Sequence, residues 1–263
     1  MFNSFKTNFS EENFINIMQL CEKVIFSDKK NVISYKKDGS SVTNVDIEVD
    51  NIIYNELKKI NANIQIISEE KKYDINDFKN KLFWIIDPID GTRDFIKKGN
   101  EYTVNIALVE NGVPTFGLIF HPPSKRIWIG NKNNLFFSEG YKKFKKIIKK
   151  KYVWKIPTLI SSRHIDSKTL SYINDLKTKD VIKSSSSIKF CMIAESQANL
   201  YFRLNKINKW DIAAGHAIVN SVGGVVESIK GEKINYCTPT ESIDSFVAAD
   251  HPDWRKKVLI AKN

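Results

Sequence analysis

From Tyr102 to Ile129 apolar and polar residues alternate with a period of two, and no other part of the chain restricts the fold as much. Val104, Ile106 and Leu108 fall on one face, Asn111-Gly112 supplies the turn of a tight hairpin, and the segment VPTFGLIF continues beyond it. Successive side chains of a strand point to opposite faces, so this pattern calls for antiparallel sheet. Helices are legible ahead of it. Ser10 followed by Glu11 and Glu12 reads as a helix start, with Phe14, Ile17, Met18, Cys21, Val24 and Ile25 at helical spacing. A second helix starts near Thr43, where Asp46 stands three residues after the cap, and Ile52, Ile53 and Leu57 form its buried face. Short strands are expected at Ile64 to Ser68 and at Leu82 to Ile86.

The second half alternates strand and helix: TLISSR and VIKSS as strands, SIKFCMIAESQ as a helix, NLYFRL as a strand, and WDIAAGHAIVNSV as a helix ending at Gly223-Gly224. Phe190, Cys191, Met192 and Tyr201 read as core. No internal repeat or low-complexity linker divides the chain. We therefore expect residues 1–263 to form one α/β (α+β) catalytic unit with a continuous core, in approximate halves 1–152 and 153–263.

Composition excludes several classes. At 263 residues, 42% of them hydrophobic, the chain is long enough to bury a sizeable core. Its formal net charge is +11. The densest basic run, YKKFKKIIKKK (Tyr141 to Lys151), reads as an edge strand whose lysines deter sheet-to-sheet aggregation, so no nucleic-acid partner is expected. Cys21, Cys191 and Cys237 are widely spaced and form no zinc or disulfide pattern, which fits free thiols in a reducing cytoplasm. Neither a signal peptide nor a membrane-spanning run is expected; peripheral association with the inner face of a membrane stays open.

In WIIDPIDGTRDF (Trp84 to Phe95) an apolar strand runs directly into two aspartates. Pro88 fixes one backbone angle, Gly91 allows a ligand to approach the backbone, and a helix starts there whose free N–H groups attract phosphate. Asp87 and Asp90 would repel a bare phosphate, so the combination makes sense with divalent cations between. With no histidine or cysteine nearby, hard, oxygen-seeking Mg²⁺ is the expected ion. A lone Asp-Pro-x-Asp would read as a surface turn and a helix cap. Glu69, in the Ser-Glu-Glu that ends the preceding strand, and Asp211, opening a helix rich in small residues, shift the balance toward a metal-assisted phosphate site.

DPIDGTRDF and WDIAAGHAIVNSVGG resemble the two signatures of the inositol-monophosphatase superfamily, and the likeness runs from Asn13 to Asp250. GNEYTVNIALVENGVPTFGLIFHP, SSRHID and SSSSIKFCMIAESQANLYFRL resemble its bacterial 3'(2'),5'-bisphosphate nucleotidase branch. The resemblance implies a layered αβαβα sandwich of the inositol-monophosphatase and fructose-bisphosphatase type, with a metal-binding first half and a substrate-binding second half. It implies that Glu69, Asp87, the Ile89 carbonyl, Asp90 and Asp211 hold two or three Mg²⁺ ions. Gly91 and Thr92 would donate to the phosphate under attack, and Thr43 and Asp46 would orient and activate water, though both also serve as a helix cap. Glu69 and Thr92 count among the catalytic residues with them. Two departures stand out: Ser41 where the family usually has proline, and Ser196 where it usually has glycine.

On the substrate side, Ser186 and Lys189 stand one helical turn apart and suit a second phosphate that is held and not cleaved; Arg203 adds a planar fork to it. His164 matches a histidine that the nucleotidases place near the base, and Asp211 also faces substrate. The expected activity is Mg²⁺-dependent removal of the 3'-phosphate of 3'-phosphoadenosine 5'-phosphate, by in-line attack of water, with ions roughly 3.5–4 Å apart as in two-metal sites generally. An inositol or sugar phosphatase is the nearest alternative; a basic nucleic-acid-binding protein or a non-cleaving nucleotide sensor lies further off. The sequence fits a monomer or a homodimer equally.

Overall fold

The computed structural model describes residues 10–28, 30–148 and 154–262. The boundary expected between the halves at 152 and 153, the last lysines of the run ending at Lys151, and the first nine residues lie outside these. Seven α-helices are described: α1 (Glu11–Ile25), α2 (Asn44–Ile60), α3 (Thr92–Ile96), α4 (Ser167–Asn174), α5 (Ile188–Ala194), α6 (Lys209–Ser221) and α7 (Trp254–Lys262). Reciprocal capping starts the first two. Ser10 and Asn13 cap α1, and Thr43 and Asp46 cap α2.

Two larger sheets organise the molecule. The first has seven strands in chain order, from Gln65–Ser68 through Leu82–Asp90, Thr103–Glu110, Val113–His121, Arg126–Asn131 and Asn134–Glu139 to the edge strand Lys145–Ile147. Only its first pair is parallel. Asn111 and Gly112 both have positive φ, 49° and 81°, as a two-residue hairpin turn requires. The second sheet has five strands in the order Asp180–Ser184, Thr158–Ser162, Leu200–Arg203, Phe246–Ala249, Val225–Glu227.

Burial follows the layers. Phe14, Ile17 and Met18 of α1 and Val49, Ile53 and Leu57 of α2 pack on Trp84, Ile86, Val104, Ile106 and Leu118 from one face of the large sheet. The opposite face, with Phe83, Ile85 and Ile119, packs on α5 and α6, which in turn meet Ile160, Tyr201, Phe246 and Ala248 of the second sheet. On the far side of that sheet Leu159, Leu200, Phe202 and Val247 pack with Ile173, Trp254 and Val258 from α4 and α7. The order is helices, sheet, helices, sheet, helices, which is the expected αβαβα sandwich. Gly117 and Gly130 bring α6 unusually close: a Cβ on Gly117 would strike the Ala214 carbonyl, and one on Gly130 would lie 2.6 Å from the Ile218 Cα.

One boundary differs from expectation in a way that builds the site. The strand does not end at Ile86; it runs to Asp90. Asp87 pairs with Asn105 and Asp90 with Thr103, so three steps on one strand oppose two on the other. Pro88, with no N–H to donate, sits inside this bulge, where a ladder bond is not needed. The extra residue turns the strand end so that Asp87 and Asp90 can serve one centre.

Candidate active site

Three elements converge at the bulge. Glu69 follows the first parallel strand and prolongs its pairing, its N–H donating to the Ile86 carbonyl at 3.3 Å. Asp87 lies in the bulged strand, and Asp211 is the third residue of α6. One carboxylate oxygen from each of Glu69, Asp87 and Asp211 lies within 4.8 Å of the others. Asp87 is 1% exposed, and neither of its oxygens has a hydrogen-bond donor among the described residues.

Such a cluster is costly without a cation. Burial pushes the Asp87 carboxyl well above the usual range, and the charges of Glu69, Asp90 and Asp211 push it further. Asp211 is raised by burial and then by Asp90 and Glu69, with Arg203 pulling the other way. Glu69 is raised by burial and partly relieved by Lys36. Orphaned, mutually repelling carboxylate oxygens with no nitrogen or sulfur donor among them fit a hard divalent cation of the Mg²⁺ class. Asp90 adds its charge from beside this trio, with its Oδ2 turned to the Ser186 hydroxyl at 2.9 Å. The Ile89 carbonyl accepts from the Thr92 hydroxyl at 3.0 Å.

Two participants went unseen in the sequence. The Lys36 ammonium, on the hairpin before α2, reaches Glu69 Oε1 at 2.7 Å and Glu70 Oε1 at 2.8 Å. Burial alone would lower the Lys36 pKa, but the two carboxylates outweigh it and the net shift is upward. Glu70, beside it, is raised to about 7, chiefly by burial. Asp50, one turn after Asp46 on α2, is the other: it accepts from the Ser68 hydroxyl, and Ser68 Oγ accepts from the Glu70 N–H at 3.2 Å, which fixes the acidic turn. A pairing between residues some thirty positions apart leaves no local signal.

The residues expected to handle water and phosphate also meet. Thr43 Oγ1 donates to Asp46 Oδ2 at 2.5 Å, and Thr92 Oγ1 approaches Asp46 Oδ1 at 3.2 Å. Burial raises the Asp46 carboxyl, against the hydrogen bonds from Thr43 and Thr92. The helix cap and the pair expected to handle water are therefore the same two side chains. Gly91 has φ of 96°, and a Cβ there would come within 2.9 Å of the Glu101 carbonyl, so the turn that presents Thr92 needs glycine.

Beside the acidic cluster opens a cavity of about 260 Å³, lined among others by Asp90, His164, Ser186, Lys189, Arg203 and Asp211. All the expected substrate residues of the second half therefore share one wall. Lys189 is buried, with its ammonium 5.2 Å from the Tyr201 ring centroid and bonded to the Ser186 carbonyl at 2.6 Å. The Arg203 Nε is buried without a partner among the described residues. One expectation changes: Ser186 is not on the helix one turn before Lys189. It precedes α5 with φ of 56°, and its hydroxyl is engaged by Asp90 and by Thr103 at 2.6 Å instead of standing free for a phosphate. Arg163, also in the wall and not anticipated, binds Glu101 at 2.8 Å.

A family model described as the inositol monophosphatase family matches residues 6–263. The 3'(2'),5'-bisphosphate nucleotidase CysQ of Buchnera aphidicola is 38% identical over 219 residues, covering 82% of this chain and 82% of that protein. The protein of the same name from Salmonella typhimurium is 34% identical over 209 residues, 79% of this chain and 83% of its own. Among solved structures, CysQ from Bacteroides thetaiotaomicron superposes with a TM-score of 0.78 at 27% identity, over 93% of this chain and 99% of that one.

Proposed function

Because the chain belongs to the inositol monophosphatase family, we propose that its acidic cluster and the adjoining cavity remove the 3'-phosphate of 3'-phosphoadenosine 5'-phosphate, yielding AMP and phosphate. The protein is a metal-dependent phosphomonoesterase of the 3'(2'),5'-bisphosphate nucleotidase type. One observation carries the choice of substrate: a single cavity is walled both by Asp90 and Asp211 of the acidic cluster and by the cations Lys189 and Arg203. A substrate with two phosphates uses both ends; inositol 1-phosphate has no group for the second.

Glu69, Asp87, Asp90, Asp211 and the Ile89 carbonyl would hold Mg²⁺, two or three ions in all. A bound hard dication supplies Lewis acidity toward phosphate oxygens and toward water. The chain's own residues then have separate tasks. Thr43 Oγ1 takes a proton from the attacking water as it passes its own proton to Asp46 Oδ2, to which it is already bonded. Gly91 and Thr92 donate to the phosphate as the new P–O bond forms and the bond to the ribose 3'-oxygen breaks, and that oxygen takes up a proton from solvent. Arg203 and Lys189 hold the 5'-phosphate, with His164 at the open rim beside the base. Asp211 serves both substrate and cation.

The reading needs no residue from a second subunit. No helix among the described residues is long and apolar enough to cross a membrane. Free, buried Cys21 and Cys191 suit a reducing cytoplasm, where we place the protein. The test is phosphate release from 3'-phosphoadenosine 5'-phosphate and from inositol 1-phosphate, each with Mg²⁺ and with EDTA. We expect Mg²⁺-dependent release with the bisphosphate preferred; a clear preference for inositol 1-phosphate would assign the protein to the sugar-phosphate branch.

A further inference from the structure

Ser184 to Ser187 join the edge strand Asp180–Ser184 to α5, and two of these serines are held in ways that a plain connection does not require. Ser186 occupies the left-handed region at φ of 56°, unfavourable for a residue with a Cβ unless its surroundings enforce it. Three contacts enforce it. Its hydroxyl reaches Asp90 Oδ2 at 2.9 Å and Thr103 Oγ1 at 2.6 Å, and its carbonyl accepts from Lys189 Nζ at 2.6 Å. Ser187 is fully buried. Its hydroxyl lies 3.0 Å from Asp90 Oδ2 and 3.0 Å from the Asp211 carbonyl, while its oxygen accepts from Asn105 Nδ2 at 2.9 Å.

Proton accounting gives the network a direction. Each serine has one hydroxyl proton, and an ionised Asp90 can only accept. Ser186 donates to Asp90 and faces the Thr103 hydroxyl, whose single proton is shared between Ser186 and Asn105 Oδ1 at 3.0 Å; Ser187 accepts from Asn105, and its proton is shared between Asp90 and the Asp211 carbonyl. Both serine hydroxyls therefore meet at Asp90 on a single oxygen, Oδ2. The other oxygen takes none of them. A carboxylate gripped by two hydroxyls on one oxygen cannot turn about its terminal bond without losing both.

We infer that Ser186 and Ser187 are positioning residues for Asp90, fixing which of its oxygens is presented to the acidic cluster and tying its orientation to the segment that carries Lys189. The inference rests on the reading of that cluster as a divalent-cation site. It gives the serine run a task other than binding a phosphate with its hydroxyls. Groups that orient a metal-binding carboxylate typically govern metal affinity, at a cost of about 10–100-fold when removed.

The test is Mn²⁺ binding without substrate, read from the free-ion EPR signal, in the parent protein and in Ser186→Gly and Ser187→Ala. Ser186→Gly removes the hydroxyl while relieving the left-handed backbone, so it keeps its thermal stability and separates orientation from folding. Both variants should bind Mn²⁺ about 10-fold more weakly. Half-maximal phosphate release should need correspondingly more Mg²⁺, while KM for 3'-phosphoadenosine 5'-phosphate at saturating Mg²⁺ stays near the parent value. Parent-like Mn²⁺ binding in both variants overturns the inference, and so does a raised KM with Mn²⁺ binding unchanged, which would make the hydroxyls substrate ligands. A parent protein that binds no Mn²⁺ overturns the cation-site reading itself.

Discussion

Asp87 is the side chain whose position is hardest to explain by stability alone. It is buried, without a hydrogen-bond donor among the described residues, and surrounded by Glu69, Asp90 and Asp211. Its folded pKa is raised, so its contribution to stability is complete below the unfolded carboxylate range near pH 4 and is lost as pH rises through the folded value. At neutral pH and without a cation, the burial and neighbouring charges that raise this pKa oppose folding. Asp87→Asn should therefore raise the melting temperature of the EDTA-treated protein by a few degrees, roughly 2–4 °C per kcal/mol for a chain of this size class. The same change should abolish the stabilisation that Mg²⁺ gives the parent and reduce phosphate release to background. Differential scanning calorimetry with EDTA and with Mg²⁺ measures both effects. A variant less stable than the parent in EDTA would show that Asp87 is held by contacts and not by a need for cations.

At the scale of elements, α6 carries the most constraint. It is buried along nearly its whole length between the two sheets, and the Nδ1 of His216 in its middle lies 3.1 Å from the Tyr236 hydroxyl. Burial lowers the His216 pKa to about 3, so the imidazole is neutral in the fold and charges readily once unfolded. A depressed folded pKa gives stability that is full above the unfolded value near 6.5 and falls as pH drops from there toward 3. Compared by thermal denaturation in EDTA, the parent and His216→Gln should differ most at pH 7, and the gap should narrow by pH 4; a constant gap contradicts the assignment. The elements themselves were largely legible. Ser10 and Thr43 announce their helices because capping is local, and Asn111-Gly112 announces its hairpin because both residues tolerate positive φ. What escaped depended on tertiary context: the strand read as ending at Ile86, where the sheet instead carries it on to Asp90 and absorbs Pro88 in a bulge. Ser186 read as a helical position, where contacts with Asp90 and Thr103 hold it left-handed. At Ser196, where the family usually has glycine, the chain keeps the turn that glycine would make, with φ of 62°.

At the scale of the whole molecule, function lies in the meeting of distant segments. The sequence located Glu69, Asp87, Asp90 and Asp211 individually, through motif and resemblance, and the five-layer packing gathers them. α6, drawn close to the large sheet by Gly117 and Gly130, carries Asp211 toward the bulged strand, and α2 brings Asp46 and Asp50 to adjoining turns. Lys36 stayed hidden because its partners lie 33 and 34 residues away. The central claim is that this packing makes a cage for divalent cations against which a phosphate ester is cleaved. Its most direct test is an anomalous difference map from a crystal soaked in Mn²⁺. The account predicts a strong peak bounded by the carboxylates of Glu69, Asp87 and Asp211; an active enzyme whose map is empty there, with Mn²⁺ bound elsewhere, would contradict it.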